Sequence, residues 1–511
     1  MCWMKPDRPI GTVMSVHDHV DRHAADRPLA PALRDSCGAT WDWAAYAEAT
    51  HAAAALLETH GLRPGDRVLI VAENCAAVAA CVFGASRLGA VAVPVNARMS
   101  PAELARIVAH ARPRVTIFTI VASDDARRHA IDARAQAVAT AFGPVAVASD
   151  PSAPGADATD VAVLLYTTGT TGDPKGVMLT HANLNFAGRA SATLRAMGPS
   201  ERIYGALPLT HVFGLASMLT AGAVAGAEVQ LEARFSPASL LAALQGGATI
   251  LPAVPQMHAL LMKHTAEQGI DSLHDAPLRY ISSGAAPLDP AWKRKAEAFY
   301  GLPLQNGYGM TETTAGVSAT QNAMGDPDTS VGPPLPGVEV RIIAPNDAGV
   351  GEIQTRGPHV MKGYYNDPAR TAEVLSPDGW LSTGDLGHID TAGRLHVVGR
   401  SKELIIRSGF NVYPPEVEAA LNDHPSVVQC AVIGRPRAGN EDVLAFVQTT
   451  DPAVTPEALA DFVRPTLSAY KRPTGIFVVQ ALPAAATGKI LKHKLIDTFA
   501  REILAHDAKE D

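Results

Sequence analysis

Tyr166-Thr167-Thr168-Gly169-Thr170-Thr171-Gly172-Asp173-Pro174-Lys175-Gly176 packs hydroxyls, glycines and one lysine into a short stretch directly after an apolar run. That run, Val161-Ala162-Val163-Leu164-Leu165-Tyr166, has the length and β-branched content of a buried strand. The glycines therefore fall where a strand gives way to a turn. Lacking Cβ atoms, they let backbone N–H groups close on phosphate oxygens, while the threonine hydroxyls and Lys175 add donors and charge. The stretch reads as a polyphosphate clamp. It is not the G-x-x-x-x-G-K-[S/T] loop, because Pro174 takes the place of the second glycine and Gly176 follows the lysine. Another nucleotide-binding class is implied.

Working outward, residues from about 40 to 340 alternate Ala-rich helical stretches with short apolar runs such as Arg67-Val68-Leu69-Ile70-Val71-Ala72 and Val91-Ala92-Val93-Pro94-Val95. This is the pattern of an α/β body with parallel sheets. Residues 149–160, rich in Asp, Pro, Ser and Gly, read as a surface linker ahead of the clamp strand. Near residue 400 the texture changes, with a turn at Asp390-Thr391-Ala392-Gly393-Arg394 followed by His396-Val397-Val398-Gly399-Arg400-Ser401-Lys402. The expected organisation is a large α/β domain over 1–401 and a small α/β domain over 402–511. In the latter, strands are expected at 403–406 and 429–433, and helices beginning near Pro415 and Thr455.

A chain of 511 residues is longer than one domain usually is, so a large core is available. The net charge of −8, with no long Lys/Arg block, argues against a nucleic-acid binder working by phosphate neutralisation. Cys2, Cys37, Cys75, Cys81 and Cys430 are scattered without a CxxC pair, which fits reduced, mostly buried thiols in a cytoplasmic protein. The first residues lack the apolar core of a signal peptide, and Lys509-Glu510-Asp511 is neither a peroxisomal nor a prenylation signal. The uncharged runs 212–227 and 240–262 are too short or too broken by Gly and Pro for a bilayer span, so both read as core.

Further segments join the clamp in order along the chain: Pro208-Leu209-Thr210-His211-Val212-Phe213-Gly214, Ser283-Gly284-Ala285-Ala286-Pro287-Leu288, and Asn306-Gly307-Tyr308-Gly309-Met310-Thr311-Glu312. After them come Gly351-Glu352-Ile353-Gln354-Thr355-Arg356-Gly357, Trp380-Leu381-Ser382-Thr383-Gly384-Asp385, Gly399-Arg400-Ser401-Lys402, and Pro483-Ala484-Ala485-Ala486-Thr487-Gly488-Lys489-Ile490. From about residue 160 to 495 this set resembles the acyl-activating adenylate-forming superfamily of acyl- and aryl-CoA synthetases, amino-acid adenylation domains and firefly-type luciferases. One glycine-rich loop alone would be weak, but the ordered series is specific.

The resemblance implies a two-step reaction. A carboxylate resists thiol attack because its leaving group would be oxide, so the acid is first joined to AMP from ATP, releasing pyrophosphate, and coenzyme A then displaces AMP. Charge accumulates at the α-phosphate and on the leaving group, so positioning and electrostatics should dominate catalysis. By the same resemblance Thr167, Thr168, Gly169, Thr170, Thr171 and Lys175 hold the β- and γ-phosphates, and Glu312 is the Mg²⁺ carboxylate, a hard oxygen ligand suited to an ion shared with phosphate. Asp385 receives the ribose hydroxyls and Arg400 is a second ribose or phosphate contact. Gly284, Ala285, Ala286, Asn306, Gly307 and Tyr308 shape the adenine slot, with Tyr308 offering a stacking face, and Thr311 is a further nucleotide-binding residue.

Lys489 corresponds to the mobile lysine that reaches the α-phosphate and the substrate carboxylate. Lys402 occupies the hinge about which the small domain turns between the two half-reactions, and Ser408-Gly409 falls on the strand lining the pantetheine tunnel. Taken singly, these residues have plainer readings: Lys175 and Lys489 as solvated lysines, Glu312 as an exposed carboxylate, Asp385 and Arg400 as a structural ion pair, Gly409 as a turn.

His211 sits where the family has an aromatic or histidine gate between the ATP and acyl sites; a core histidine is its other reading. No acidic residue occurs from Val212 to Met218, where amino-acid adenylation domains place an Asp, and no Arg occurs in 252–261, where malonate-type ligases carry one. What remains is an apolar monocarboxylate, aliphatic or aromatic, in a pocket drawn from Phe213, Val254, Ser282, Ser283, Gly284, Gly309, Met310 and Val317. The leading reading is an AMP-forming acid:CoA ligase using ATP, Mg²⁺ and CoA. Its rivals are an enzyme loading a carrier-protein phosphopantetheine, a luciferase-like monooxygenase, and a non-catalytic nucleotide or acyl-adenylate sensor, against which the intact Lys489, Glu312 and Asp385 argue.

Overall fold

The computed structural model describes residues 14–155, 157–168, 174–284, 288–407, 410–437, 440–449, 451–484 and 490–510, apart from the side chains of residues 168, 509 and 510. The chain forms two compact units. One comprises Met1–Arg234, Met310–Ala315 and Pro358–Thr371; the other comprises Phe235–Gly309, Gly316–Gly357 and Ala372–Asp511.

In the first unit the strands Val161–Thr168, Val91–Asn96, Arg67–Ala72 and Val115–Phe118 lie side by side and parallel. Arg67–Ala72 is buried at every position, as a central strand covered on both faces must be. The edges are antiparallel: Val145–Ser149 and Gln136–Val138 on one side, Pro174–Thr180 and Gly363–Tyr364 on the other. The expected parallel sheet is thus the centre of a mixed one. The reason lies in the clamp itself, because the connection from Thr168 to Pro174 is too short for a crossover helix and the chain must return antiparallel. A second set of strands in this unit, Arg202–Gly205, Glu228–Leu231 and Pro31–Asp35, is parallel, with Thr40–Asp42 closing it as a hairpin. The uncharged run after His211 folds as Val212–Gly214, the π-helix Leu215–Thr220 and Ala221–Ala225, mostly buried. No helix among the described residues is long and apolar enough to cross a membrane.

The second unit carries the parallel strands Ile250–Ala253, Tyr280–Ser283 and Leu304–Gln305, and an antiparallel meander of Glu339–Ile343, Gly351–Arg356, Leu381–Ile389 and Leu395–Arg400. Beyond residue 400 the expected strand at 403–406 is displaced. Ser401–Glu403 is a single 3₁₀ turn and the strand is Ile405–Arg407, paired with Phe410–Val412, because the apolar residues begin only at Leu404. The second expected strand is longer than its apolar run: Val427–Arg437 pairs antiparallel with Asn440–Thr449, which pairs parallel with Gly475–Val479. The helices Pro414–Asn422 and Pro456–Val463 begin close to where they were expected.

Alternation along those three strands serves two cores. Cys430, Val432, Val443, Ala445 and Val447 face Val417, Leu421, Leu459 and Val463, whereas Ala431, Leu444, Phe446, Phe477 and Val479 face Leu482, Leu495, Phe499 and Ile503. Of the described cysteines, Cys75, Cys81 and Cys430 are buried free thiols and Cys37 is exposed.

Candidate active site

In the first unit the clamp joins two antiparallel strands, with Tyr166 opposite Gly176 and Thr167 opposite Lys175. Among the described residues the chain leaves Val161–Thr168 and returns as the strand Pro174–Thr180, so no helix follows the first strand directly. Lys175 Nζ lies 5.3 Å from the ring centre of Tyr364, on the strand Gly363–Tyr364 that pairs with Pro174–Thr180. The Tyr364 hydroxyl donates to Glu312 Oε1 at 2.8 Å. Burial, and then the Glu312 charge beside it, push the Tyr364 phenol far above its ordinary range, so it stays a proton donor. Glu312 sits on the 3₁₀ turn Thr311–Thr313, whose exit places Thr314 and Ala315 at φ 47 and 76, a left-handed conformation that costs energy in residues bearing Cβ. Tertiary bonds hold it there: Met361 N donates to Glu312 O at 2.9 Å and Thr314 Oγ1 to His359 O at 2.8 Å.

In the second unit Tyr308, Asp385 and Arg400 converge. Asp385 and Arg400 face each other across antiparallel strands, with Nε 3.1 Å from Oδ1, and the Tyr308 hydroxyl donates to Oδ2 at 2.5 Å. Asp385 is aimed by a bulge: between Glu352 and Gln354 the register with Leu381–Ile389 slips, and Gly384 takes φ +71, which suits glycine. Asp385 is 5% exposed. Each carboxylate oxygen has two lone pairs, so Tyr308 and Arg400 leave acceptor capacity for a pair of ribose hydroxyls. Burial, and then Asp385, raise the Tyr308 phenol well above its ordinary range. Asn306 is buried with Oδ1 accepting from Gly307 N at 2.9 Å and Nδ2 donating to Ser330 O at 3.2 Å, so it shapes the turn into Tyr308.

His211 caps the short helix Val212–Gly214 through Nδ1, which accepts from Phe213 N at 3.2 Å. An accepting Nδ1 fixes the tautomer, with the ring proton on Nε2. In the second unit Val254 and Val317 are buried, and Ser282 and Ser283 have buried hydroxyls with no hydrogen-bond partner among the described residues. Below them His258 meets Ser282 O at 3.2 Å and the Tyr300 hydroxyl at 2.9 Å, and burial drives its pKa down to about 4.

Lys402 is exposed on its 3₁₀ turn, beside Ser401, whose hydroxyl donates to Gly384 O at 3.1 Å. Lys492 pairs with Glu418 at 2.8 Å and with Glu403 at 3.2 Å. Burial lowers its pKa, but the two carboxylates more than reverse this and leave it raised. The expected site residues Gly169, Thr170, Thr171, Ala285, Ala286, Ser408, Gly409 and Lys489, and the side chain of Thr168, lie outside the described residues.

Sequence reasoning missed Tyr364, the residue that touches both Lys175 and Glu312. Its only signal is an aromatic pair after Gly363, which says nothing about a partner 52 positions away. As a Mg²⁺ ligand Glu312 passes a chemical test: it is a hard oxygen donor, Tyr364 fixes one oxygen, and Oε2 has no hydrogen-bond partner among the described residues.

Over residues 20–365 the chain matches the AMP-binding enzyme family, and over 416–489 the AMP-binding enzyme C-terminal domain. It is 35% identical over 493 residues to a feruloyl-CoA synthase of Amycolatopsis sp, covering 94% of this chain and 98% of the relative. To a sulfoacetate–CoA ligase of Cupriavidus necator it is 34% identical over 463 residues, covering 86% and 88%. Among solved structures, the O-succinylbenzoate coenzyme A synthetase of Bacillus subtilis in complex with ATP and magnesium ion aligns with a TM-score of 0.79 at 29% identity, covering 93% and 98%. With ATP and CoA as its substrates, the chain belongs to the AMP-binding, adenylate-forming enzymes, as an AMP-forming acid–thiol ligase of the acyl- and aryl-CoA synthetase type.

Proposed function

We propose that the acid is a monocarboxylate with an apolar body, aryl or aliphatic, and that the acceptor is free CoA. The observation that carries this is the character of the acyl-side positions: Phe213, Val254, Met310 and Val317 are apolar, and neither 212–218 nor 252–261 contains Lys or Arg. A sulfonate or second carboxylate buried there would lack a partner charge. The relative named for feruloyl-CoA supports an aryl acid as the first candidate. The cytoplasm, where reduced thiols persist, suits the buried free cysteines.

The assigned roles follow the two clusters. Thr167, Thr168, Lys175 and the loop between them hold the leaving pyrophosphate; Tyr308, Asp385 and Arg400 hold the nucleoside; His211 donates to the carboxylate or closes the acyl side. Mg²⁺ held by Glu312 would neutralise phosphate charge as pyrophosphate departs. Lys489, from a small domain over 402–511, supplies positive charge as the carboxylate oxygen attacks the α-phosphorus and the bond to pyrophosphate breaks. Turning at Lys402 withdraws that charge before the thiol attacks the acyl carbon and AMP leaves, so one cavity serves two transition states.

The test is a panel of ferulate, benzoate, octanoate, palmitate and sulfoacetate with ATP and Mg²⁺, reading AMP and thioester, with CoA or a phosphopantetheinyl carrier protein as acceptor. An apolar acid is expected to exceed sulfoacetate in kcat/KM by about a hundredfold, the scale of a buried unpaired charge. Preference for sulfoacetate overturns the substrate reading, and thioester formed only on the carrier overturns the acceptor.

A further inference from the structure

Asn74 follows the central strand Arg67–Ala72 at its carboxyl end and is 4% exposed. Its Nδ2 donates to Gly205 O at 3.0 Å and to Leu207 O at 2.8 Å, while its Oδ1 accepts from Leu209 N at 2.8 Å. Both donors and the acceptor are spent on one stretch of backbone leaving the strand Arg202–Gly205. Among side chains of this length only an asparagine amide can donate twice and accept once from one plane.

That stretch runs directly into the acyl-side residues. His211 N donates to Pro208 O at 3.0 Å and Leu215 N to His211 O at 3.0 Å. A Cβ on Gly214 would meet Pro208 O at 2.3 Å and Leu207 O at 2.7 Å, so the start of the helix packs closely on this backbone, Leu207 O being one of the two carbonyls that Asn74 holds. The π-helix Leu215–Thr220 follows, a wide turn that gathers at functional sites.

We infer that Asn74 is a positioning residue for acid recognition: it holds the 205–209 backbone and, through it, the direction of His211 and Phe213. The inference rests on the reading of those two as acyl-side residues. Asn74→Asp keeps the size but removes both donors and sets a carboxylate against two carbonyls.

In the full-length enzyme, acid-dependent ATP–pyrophosphate exchange tests this. At pH 8, Asn74→Asp is expected to raise the KM for the acid about tenfold while the KM for ATP stays within about twofold. Burial raises the pKa of the new carboxyl, so toward pH 6 it takes a proton and regains one of the two donors, and the acid KM recovers in part in the variant but does not change in this way in the native enzyme. Asn74→Leu, with neither donor nor acceptor, shows the rise without the recovery. In a His211→Ala background Asn74→Asp adds less than its tenfold effect alone, because part of its action runs through that residue.

Equal rises in both KM values, a pH-independent defect, or full additivity with His211→Ala overturns the inference. So does failure of both Asn74 variants to melt cooperatively at either pH, which would make the contact one of folding. If His211→Ala alone leaves the acid KM unchanged, the acyl-side reading fails. If it raises that KM while Asn74→Asp does not, only the present inference fails.

Discussion

The Tyr364 hydroxyl donates to Glu312 at 2.8 Å while the face of the same ring lies 5.3 Å from Lys175 Nζ. One aromatic side chain therefore sits between the cation assigned to the phosphates and the carboxylate assigned to the metal. Lys175 lies against the ring face and Glu312 accepts from the hydroxyl, so one side chain contacts both.

Tyr364→Phe keeps the ring under Lys175 and removes only the donor to Glu312. The expected result is a rise of about tenfold in the Mg²⁺ concentration for half-maximal pyrophosphate release, the usual scale for losing a group that orients a metal ligand. Lys175 should be undisturbed, so the maximal rate at saturating Mg²⁺ stays close to native. An unchanged Mg²⁺ titration would remove Tyr364 from the metal site.

The contrast between Tyr364 and Asp385 explains what could be read before folding. Asp385 could be singled out because it ends one contiguous motif, Trp380-Leu381-Ser382-Thr383-Gly384-Asp385, which carries part of the resemblance. Tyr364 and Asn74 act on residues distant in sequence through side-chain bonds, and no local pattern encodes such a partner. The same reasoning covers the fold. The central strands are continuous apolar runs and could be found, whereas the antiparallel edges depend on connection length, and the 3₁₀ turn at Ser401–Glu403 interrupts a strand that propensity alone would extend.

Burial makes the protein acid-sensitive. His17, His23, His258 and His359 all have pKa values lowered to about 4, chiefly by burial, from an unfolded value of 6.5. Between these values the unfolded chain binds more protons than the folded one. Stability is therefore fully present above pH 6.5, falls as pH drops toward 4, and is lost no further from this source below it. For the fully buried His258 the share lost at pH 5 is about 2 kcal/mol. Denaturant midpoints at pH 7 and pH 5 should differ, and His258→Gln should shrink that difference; an identical difference in the variant would show that His258 does not titrate on unfolding.

Lys492 ties Glu403, next to the assigned hinge, to Glu418 on the helix Pro414–Asn422. Glu418 also accepts from Val432 N at 2.8 Å, so its carboxylate is fixed in place. Lys492→Met leaves two carboxylates without their shared cation. The expected loss is about 1–3 kcal/mol, below the figure for a fully buried pair because Glu403 is partly exposed. Hydrogen exchange should localise it to residues 402–511, and uniform loss of protection throughout the chain would contradict that.

The two-step assignment separates two substitutions. On the proposed roles, Lys489→Ala removes a charge used while pyrophosphate leaves but not while the thiol displaces AMP. Pyrophosphate release should fall by about two to three orders of magnitude, the scale for losing one transition-state contact, while thioester formation from supplied acyl-adenylate is spared. Lys402→Pro does the reverse. A proline fits the φ of the 3₁₀ turn Ser401–Glu403 and fixes it, so if Lys402 is the proposed hinge, the first step is expected to proceed and the turn to the second to slow. Pyrophosphate should then appear as a single burst of bound acyl-adenylate with slow thioester release. Normal steady-state thioester turnover by Lys402→Pro would show that the two half-reactions need no change at this residue, and equal damage to both steps by Lys489→Ala would show that its charge is not confined to the first.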